Sequence, residues 1–86
     1  MTSFRYSVSI MPRPGILDPQ GRAVEAALPQ LGASAVHGVR VGRRVELTVD
    51  AEQEPQARAV VERLASDFLA NPLVEDWRIE AAEAAR

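Results

Sequence analysis

The chain has 86 residues, a net charge of −2 and no cysteine, which together exclude several classes of protein. A chain without cysteine has no disulfide framework and no thiolate nucleophile, and a slightly acidic one is not attracted to nucleic acid or anionic lipid. No apolar run reaches the roughly 20 residues of a membrane span, so we expect one cytoplasmic domain over residues 1–86 with no nucleic-acid or membrane partner. So short a chain buries only about 60 to 65% of the surface that its unfolded form exposes, and its core is expected to be thin.

Alternating apolar and polar residues predict that the chain opens with a strand. The apolar residues that share one face of this strand are Phe4, Tyr6, Val8 and Ile10. Pro12 and Gly15 interrupt the alternation, because proline has no N–H to donate to a sheet and glycine favours a turn. Asp18 and Pro19 then suit the N-cap and the first helical position, where a carboxylate accepts free backbone N–H groups and the missing proline N–H costs nothing. A helix is therefore expected to begin at Pro19.

A proline limits the length of this first helix. Pro29 removes the hydrogen bond to the carbonyl of Glu25 and disfavours helical geometry at Leu28. The helix is therefore expected to kink or to end near Leu28. Gly32 follows at a position typical of a helix C-terminal cap.

A hairpin is predicted for the segment that comes next. A three-residue loop over residues 42–44 pairs apolar with apolar residues, whereas a two-residue loop would place Val39 opposite Glu46. The favoured register joins Val41 to Val45 and Val39 to Leu47. The hairpin is expected to supply the second and third strands.

The most regular helical pattern in the chain follows the hairpin. Apolar residues recur at i, i+3, i+4 and i+7 between Ala57 and Leu69, and Pro55 fits the first turn of this helix. Asn71 and Pro72 are expected to end it. A last strand then carries Trp77 on its apolar face.

The predicted order of elements is strand, helix, strand, strand, helix, strand. With right-handed crossovers, this order gives an α+β fold of the ferredoxin-like βαββαβ type, in which a four-stranded, mostly antiparallel sheet carries both helices on one face. Residues 81–86 are expected to extend beyond the last strand as a frayed helix. The aromatic residues expected in the core are Phe4, Tyr6, Phe68 and Trp77.

The sequence contains no constellation of residues for bond-making chemistry. His37 is the only histidine, and a lone imidazole supplies neither a usual metal site nor a histidine-based triad. The hairpin register sets it opposite Val49 as a structural residue. Carboxylates that are close in sequence lack the apolar wall that would raise a pKa for acid catalysis. No catalytic, cofactor-binding or metal-binding residue is expected, and the composition indicates a binding or assembly module.

Two local features point to contact with another molecule. Arg43 and Arg44 are adjacent cations at the predicted hairpin tip, and they suit a carboxylate or a phosphate on a partner. Gly21 lies in the first turn of a helix, where glycine costs roughly 0.5 to 1 kcal/mol. A close backbone approach by another molecule would account for it.

Three segments occur in a fixed order: LDPQGRAVEAAL over 17–28, VRVGRRVEL over 39–47 and LANPLVEDWRIE over 69–80. Together they resemble the small PurS-type subunit of phosphoribosylformylglycinamidine synthase. The resemblance implies a non-catalytic subunit of an ATP-dependent complex that uses glutamine in de novo purine biosynthesis. In that family the small subunit, a homodimer or homotetramer, bridges a glutaminase subunit and a synthetase subunit and assists ammonia transfer. No cofactor is then expected in this chain, since the synthetase subunit uses the ATP and magnesium.

The resemblance also suggests which residues contact partners. The candidate positions, which match the family's motifs, are Asp18, Pro19, Gln20, Gly21, Gly42, Arg43, Asn71, Pro72, Glu75 and Asp76. Asp18, Gln20 and Arg43 are expected to lie in the assembly surface. Pro29 departs from the family's uninterrupted first-helix pattern.

Two other functions suit the predicted order of elements. A regulatory domain of the ACT type would bind an amino acid at a subunit interface. An acylphosphatase-like enzyme would need an arginine and an asparagine at a phosphate loop after the first strand. The corresponding segment MPRPG offers Arg13 and no catalytic asparagine.

Overall fold

The fold combines two α-helices with a three-stranded antiparallel sheet, and the computed structural model describes it over residues 1–84. The elements are β1 (Thr2–Pro12), α1 (Pro19–Ala27), β2 (Arg43–Ala51), α2 (Glu54–Leu64) and β3 (Glu75–Ala84). A 3₁₀ turn over Leu28–Leu31 follows α1, and a π-helical turn over Ala65–Leu69 follows α2. The strands lie in the order β2-β1-β3, so β1 is central and pairs antiparallel with both neighbours. The predicted α+β class is confirmed.

The prediction of a fourth strand is wrong for the described residues. The segment expected to form it runs as a loop, because its backbone N–H groups bind carboxylates near α1. The Val41 N–H donates to Asp18 Oδ2 at 2.8 Å, and the Gly38 N–H donates to Glu25 Oε1 at 3.0 Å. The hairpin register is consequently wrong as well, since Val45 lies opposite Val8 in β1.

The predicted limits of α1 are confirmed. Asp18 is the N-cap and its Oδ1 accepts the Gly21 N–H at 3.0 Å, while Pro19 occupies the first turn. The helix ends at Ala27, directly before the residues that Pro29 disfavours. Gly32 then caps the 3₁₀ turn with a φ of 76°, in the left-handed region that glycine tolerates.

The core lies between β1 and α2 and is thin. Tyr6, Val8 and Ile10 of β1 are at most 2% exposed, and they face Ala57 and Val61 of α2. Four of the eight buried apolar residues in the described part are alanines. The partly buried residues packed around this core are Phe4, Val45, Leu47, Val49, Leu69, Trp77 and Ile79. The prediction that both helices cover the sheet is only half right, because α1 contacts chiefly its own 3₁₀ turn and the loop before β2.

Phe68 is not in the core, contrary to the prediction, because it is 79% exposed. It continues a side of α2 that is already exposed before the π turn begins, since Val60 and Leu64, eight and four residues earlier, are 45% and 38% exposed. The π turn, in which the Ala70 N–H donates to the Ala65 carbonyl at 3.0 Å, ends the helical segment directly after this residue.

The tail prediction is also corrected. Residues 81–84 continue β3, and Glu83 lies opposite Arg5 of β1. A bulge at Glu80 adjusts the register, since Ser7 pairs with Ala81 and Val8 with Ile79. Without residues 81–84, residues 4–7 of β1 would have no partner on the β3 side of the sheet. The hydrogen bonds that residues 81–84 form with β1 outweigh the helical preference of an Ala/Glu sequence. Residues 85–86 lie outside the described part.

The described protomer is long and flat. Its radius of gyration is 16.6 Å and its principal extents are 52 × 29 × 13 Å, whereas a compact chain of this length has a radius of about 12 Å. Large apolar side chains accordingly remain exposed on both helices and in the loops: Ile16, Leu17, Val24, Leu31, Val36, Val60, Leu64, Phe68 and Leu73. No helix in residues 1–84 is long and apolar enough to cross a membrane.

Candidate functional site

The ten candidate contact positions fall into two groups, both in or beside loops. One group, the cap cluster, comprises residues 18–21 and the facing loop 38–42. The other, the turn cluster, comprises Arg43 and residues 69–76, where the π turn leads into β3. Arg13 connects the two, because it borders the cap cluster and its guanidinium donates to the Pro72 carbonyl at 2.8 Å.

In the cap cluster, the Asp18 carboxylate fastens α1 to the loop before β2. Its two oxygens accept the N–H groups of Gly21 and Val41. These hydrogen bonds hold the pKa of Asp18 below its usual range, and the bond from Gly21 has the largest effect. Pro19 and Gln20 are exposed beside this bonded pair. Asp18 therefore sets the shape of the surface on which its neighbours lie.

Gly21 owes its identity to this same packing. A Cβ on Gly21 would lie 2.6 Å from the Val39 carbonyl oxygen and would overlap the Asp18 carboxylate. The close backbone approach inferred from the sequence is real, but it comes from the chain's own loop and not from another molecule. Gly42 is constrained in a similar way, because a Cβ there would overlap the Ile10 carbonyl at the end of β1.

In the turn cluster, Arg43 binds within its own chain. Its guanidinium contacts both Glu75 oxygens, at 2.6 and 3.0 Å, and donates to the Leu69 carbonyl at 2.5 Å. The Asn71 N–H also donates to Glu75, at 2.7 Å. The bond to Arg43 is the main cause that lowers the pKa of Glu75, and the same bond raises the pKa of Arg43. Arg43 thus ties the end of α2 to the start of β3.

The remaining predicted positions of the turn cluster are exposed. Asn71, Pro72 and Asp76 face outward, and Asp76 pairs with Arg13 at 3.5 Å. Arg44, the second predicted cation, pairs with Glu46 at 3.2 Å on the sheet face that no helix covers. Sequence reasoning missed the connecting role of Arg13, because that role depends on the end of β1 lying beside the turn after α2.

His37 is exposed in the loop before β2, so its predicted place opposite Val49 is wrong, and Phe4 takes that place. Within residues 1–84, no three His, Cys, Asp or Glu side chains are grouped in a way that would hold a metal ion. What the described site does offer is a set of rigid loops with exposed polar and apolar side chains. Such a surface is suited to contact with protein.

The family model for PurS, described as phosphoribosylformylglycinamidine (FGAM) synthase, matches residues 5–83. The chain belongs to the PurS family. It is 41% identical to the PurS subunit of phosphoribosylformylglycinamidine synthase from Mycobacterium leprae over 75 residues, which are 87% of this chain and 91% of that protein. The match decides against the ACT-type and acylphosphatase-like alternatives.

Solved PurS structures agree with this assignment. PurS from Thermus thermophilus superposes with a TM-score of 0.88 at 37% identity, covering 98% of this chain and 99% of that one. A chain of the PurLQS structure from Thermotoga maritima superposes with a TM-score of 0.84 at 26% identity, covering 99% and 100%. The predicted role as a PurS subunit of FGAM synthase in purine biosynthesis is confirmed at this level.

We expect Arg43→Ala to lower the free energy of unfolding by about 1 to 2 kcal/mol, because it removes a bidentate charged pair and leaves the Leu69 carbonyl without its donor. Urea unfolding at neutral pH measures the change. Arg44→Ala is the matched control, since its exposed pair with Glu46 should be worth at most about 0.5 kcal/mol. Equal losses in the two variants would contradict the internal role of Arg43.

Asp18→Asn should remove part of the acid sensitivity of the fold. Because the folded-state pKa of Asp18 is depressed, its stabilising contribution is present above the ordinary carboxyl pKa of about 4 and is lost as the pH falls through the lower folded value. Urea unfolding from pH 7 to pH 3 should therefore show a shallower decline for the variant. Asp67→Asn, at an exposed carboxylate of the π turn, should keep the wild-type slope. A wild-type slope in Asp18→Asn would refute the assignment.

Proposed function

We propose that this chain is a non-catalytic bridging subunit, which joins a glutaminase subunit to a synthetase subunit in the cytoplasm and assists ammonia transfer between them. The similarity of nearly the whole chain to a chain of the PurLQS structure carries this proposal. In the proposed complex, ATP and magnesium act in the synthetase subunit, and this chain binds no cofactor. The physical need is that ammonia released into neutral water becomes ammonium, which has no lone pair for attack. A sealed protein interface retains the nucleophile.

The candidate positions divide into two roles within this proposal. Asp18, Gly21 and Glu75 are buried or half-buried and fix the backbone of the two clusters. The exposed positions beside them supply the contacts with the larger subunits: Pro19, Gln20, Gly42, Arg43, Asn71, Pro72 and Asp76. Arg43 belongs to both roles, because its side chain is 51% exposed while it holds Glu75.

The chain also forms at least a homodimer in this proposal. Val60, Leu64 and Phe68 recur along α2 and the π turn at i, i+4 and i+8, and each is exposed. This stripe lies beside the buried series of Ala57 and Val61, so α2 has more apolar surface than its own sheet covers. A second copy of the chain is the occupant that gives every protomer the same cover.

Leu64→Glu should convert the oligomer to a monomer, because it places a charge in the centre of the exposed apolar stripe. Sedimentation velocity at micromolar concentration measures the change in mass. Ala59→Glu adds the same charge at an exposed position of the same helix outside the stripe. We expect it to keep the wild-type mass. An oligomer that persists in Leu64→Glu would remove α2 from the interface.

Reconstitution with the two larger subunits tests the bridging role. With glutamine as the nitrogen source, we expect FGAM synthesis to depend on this chain, because ammonia must pass between active sites. With ammonium chloride at alkaline pH, synthesis should proceed without it, because free ammonia then reaches the synthetase from solution. Equal glutamine-dependent rates with and without the chain would contradict the proposal, as would turnover of substrate by the chain alone.

A further inference from the structure

An open cleft of about 620 Å³ is lined by the start of α1, the residues before it and the loop before β2. We call it the cation cleft and define it by four of its lining residues, Arg22, Arg40, Ile16 and Leu17. Arg13 and Asp18 also border it. The predicted fourth strand would have placed Arg40 in a sheet, which is why sequence reasoning did not pair it with Arg22.

The cleft carries excess positive charge. Neither Arg22 nor Arg40 pairs with a carboxylate among residues 1–84, and both side chains are exposed. The one acidic group that lines the cleft, Asp18, accepts two backbone N–H groups and also interacts electrostatically with Arg40. Arg13 is bound to Asp76 and to the Pro72 carbonyl. Two guanidinium groups against one carboxylate leave the lining with an excess of positive charge that suits an anion.

The backbone that carries these two arginines is fixed before any partner arrives. Arg22 lies in the first turns of α1, and its N–H donates to the Asp18 carbonyl at 3.0 Å. Arg40 lies between Gly38 and Val41, and both of those N–H groups are bonded to carboxylates of Glu25 and Asp18. A site built on a backbone already held in place loses less entropy when it binds.

We propose that the cation cleft docks an acidic segment of one of the larger subunits, with its carboxylates on Arg22 and Arg40 and an apolar side chain against Ile16 and Leu17. The charge of the cleft selects the acidic groups, since guanidinium binds carboxylate in a bidentate geometry. The apolar part of the lining favours a peptide over a small ion, because Ile16 and Leu17 are 40% and 65% exposed and offer apolar contact beside the charges. This inference rests on the bridging role proposed above.

The test is binding of the intact chain to each purified larger subunit, measured by calorimetry at 50 and 300 mM NaCl. We expect Arg22→Glu/Arg40→Glu to weaken binding to one subunit at least tenfold and to flatten its salt dependence. Arg22→Gln/Arg40→Gln should lie between the two, which excludes an artefact of charge reversal. Arg63→Glu, at an exposed arginine of α2, is the matched control and should bind within twofold of the wild type.

The outcomes separate this inference from the function on which it rests. If the wild type binds neither larger subunit, the bridging role fails. If the wild type binds and the double variants, confirmed as folded by circular dichroism, bind equally well, only the cleft assignment is overturned. A thermal shift of the wild type in millimolar inorganic phosphate that the double variants lack would assign the cleft to a small anion and would also overturn it.

Discussion

The apolar surface of this chain exceeds what its own fold can bury, and the rest of the structure follows from that imbalance. Half of the buried apolar residues in the described part are alanine, and the largest fully buried side chains are Ile10, Val8 and Val61. A sheet covered by one helix makes a protomer 13 Å across in its thinnest direction. The free energy available from hydrophobic burial within one copy is correspondingly small. In the proposed assembly, a second copy and the larger subunits cover the apolar surface that one chain leaves exposed.

Hydrogen bonds and ion pairs hold together the segments that the small core does not reach. Asp18 joins α1 to the loop before β2, and Arg43 with Glu75 joins the end of α2 to β3. At the N-terminal end of α2, the Tyr6 hydroxyl donates to Glu54 at 2.6 Å, and burial with this carboxylate raises the pKa of Tyr6 to about 12. These bonds fix loops that would otherwise be free to move. Rigid loops lose little entropy on binding, which suits a chain whose proposed work is contact.

The predictions that succeeded depend on local chemistry. Asp18, Pro19 and Pro29 act on the helix in which they lie, so their effects could be predicted from the sequence. The failures depend on contacts between distant segments. Val41 alternates like a strand residue, yet its N–H is taken by Asp18, 23 residues earlier. Phe68 fits the apolar pattern of α2, but it lies on the side of the helix that the sheet does not cover, together with Val60 and Leu64. The free arginines of the cation cleft were missed for the same reason, since their proximity depends on that loop.

We propose that the folded unit is an assembly and not the single chain. Thermal unfolding of the wild type over a hundredfold range of protein concentration tests this most directly. If folding is coupled to association, the midpoint must rise with concentration, because the unfolded chains are separate. We expect such a rise. A midpoint that stays constant while sedimentation gives the mass of one 9.4 kDa chain would contradict it.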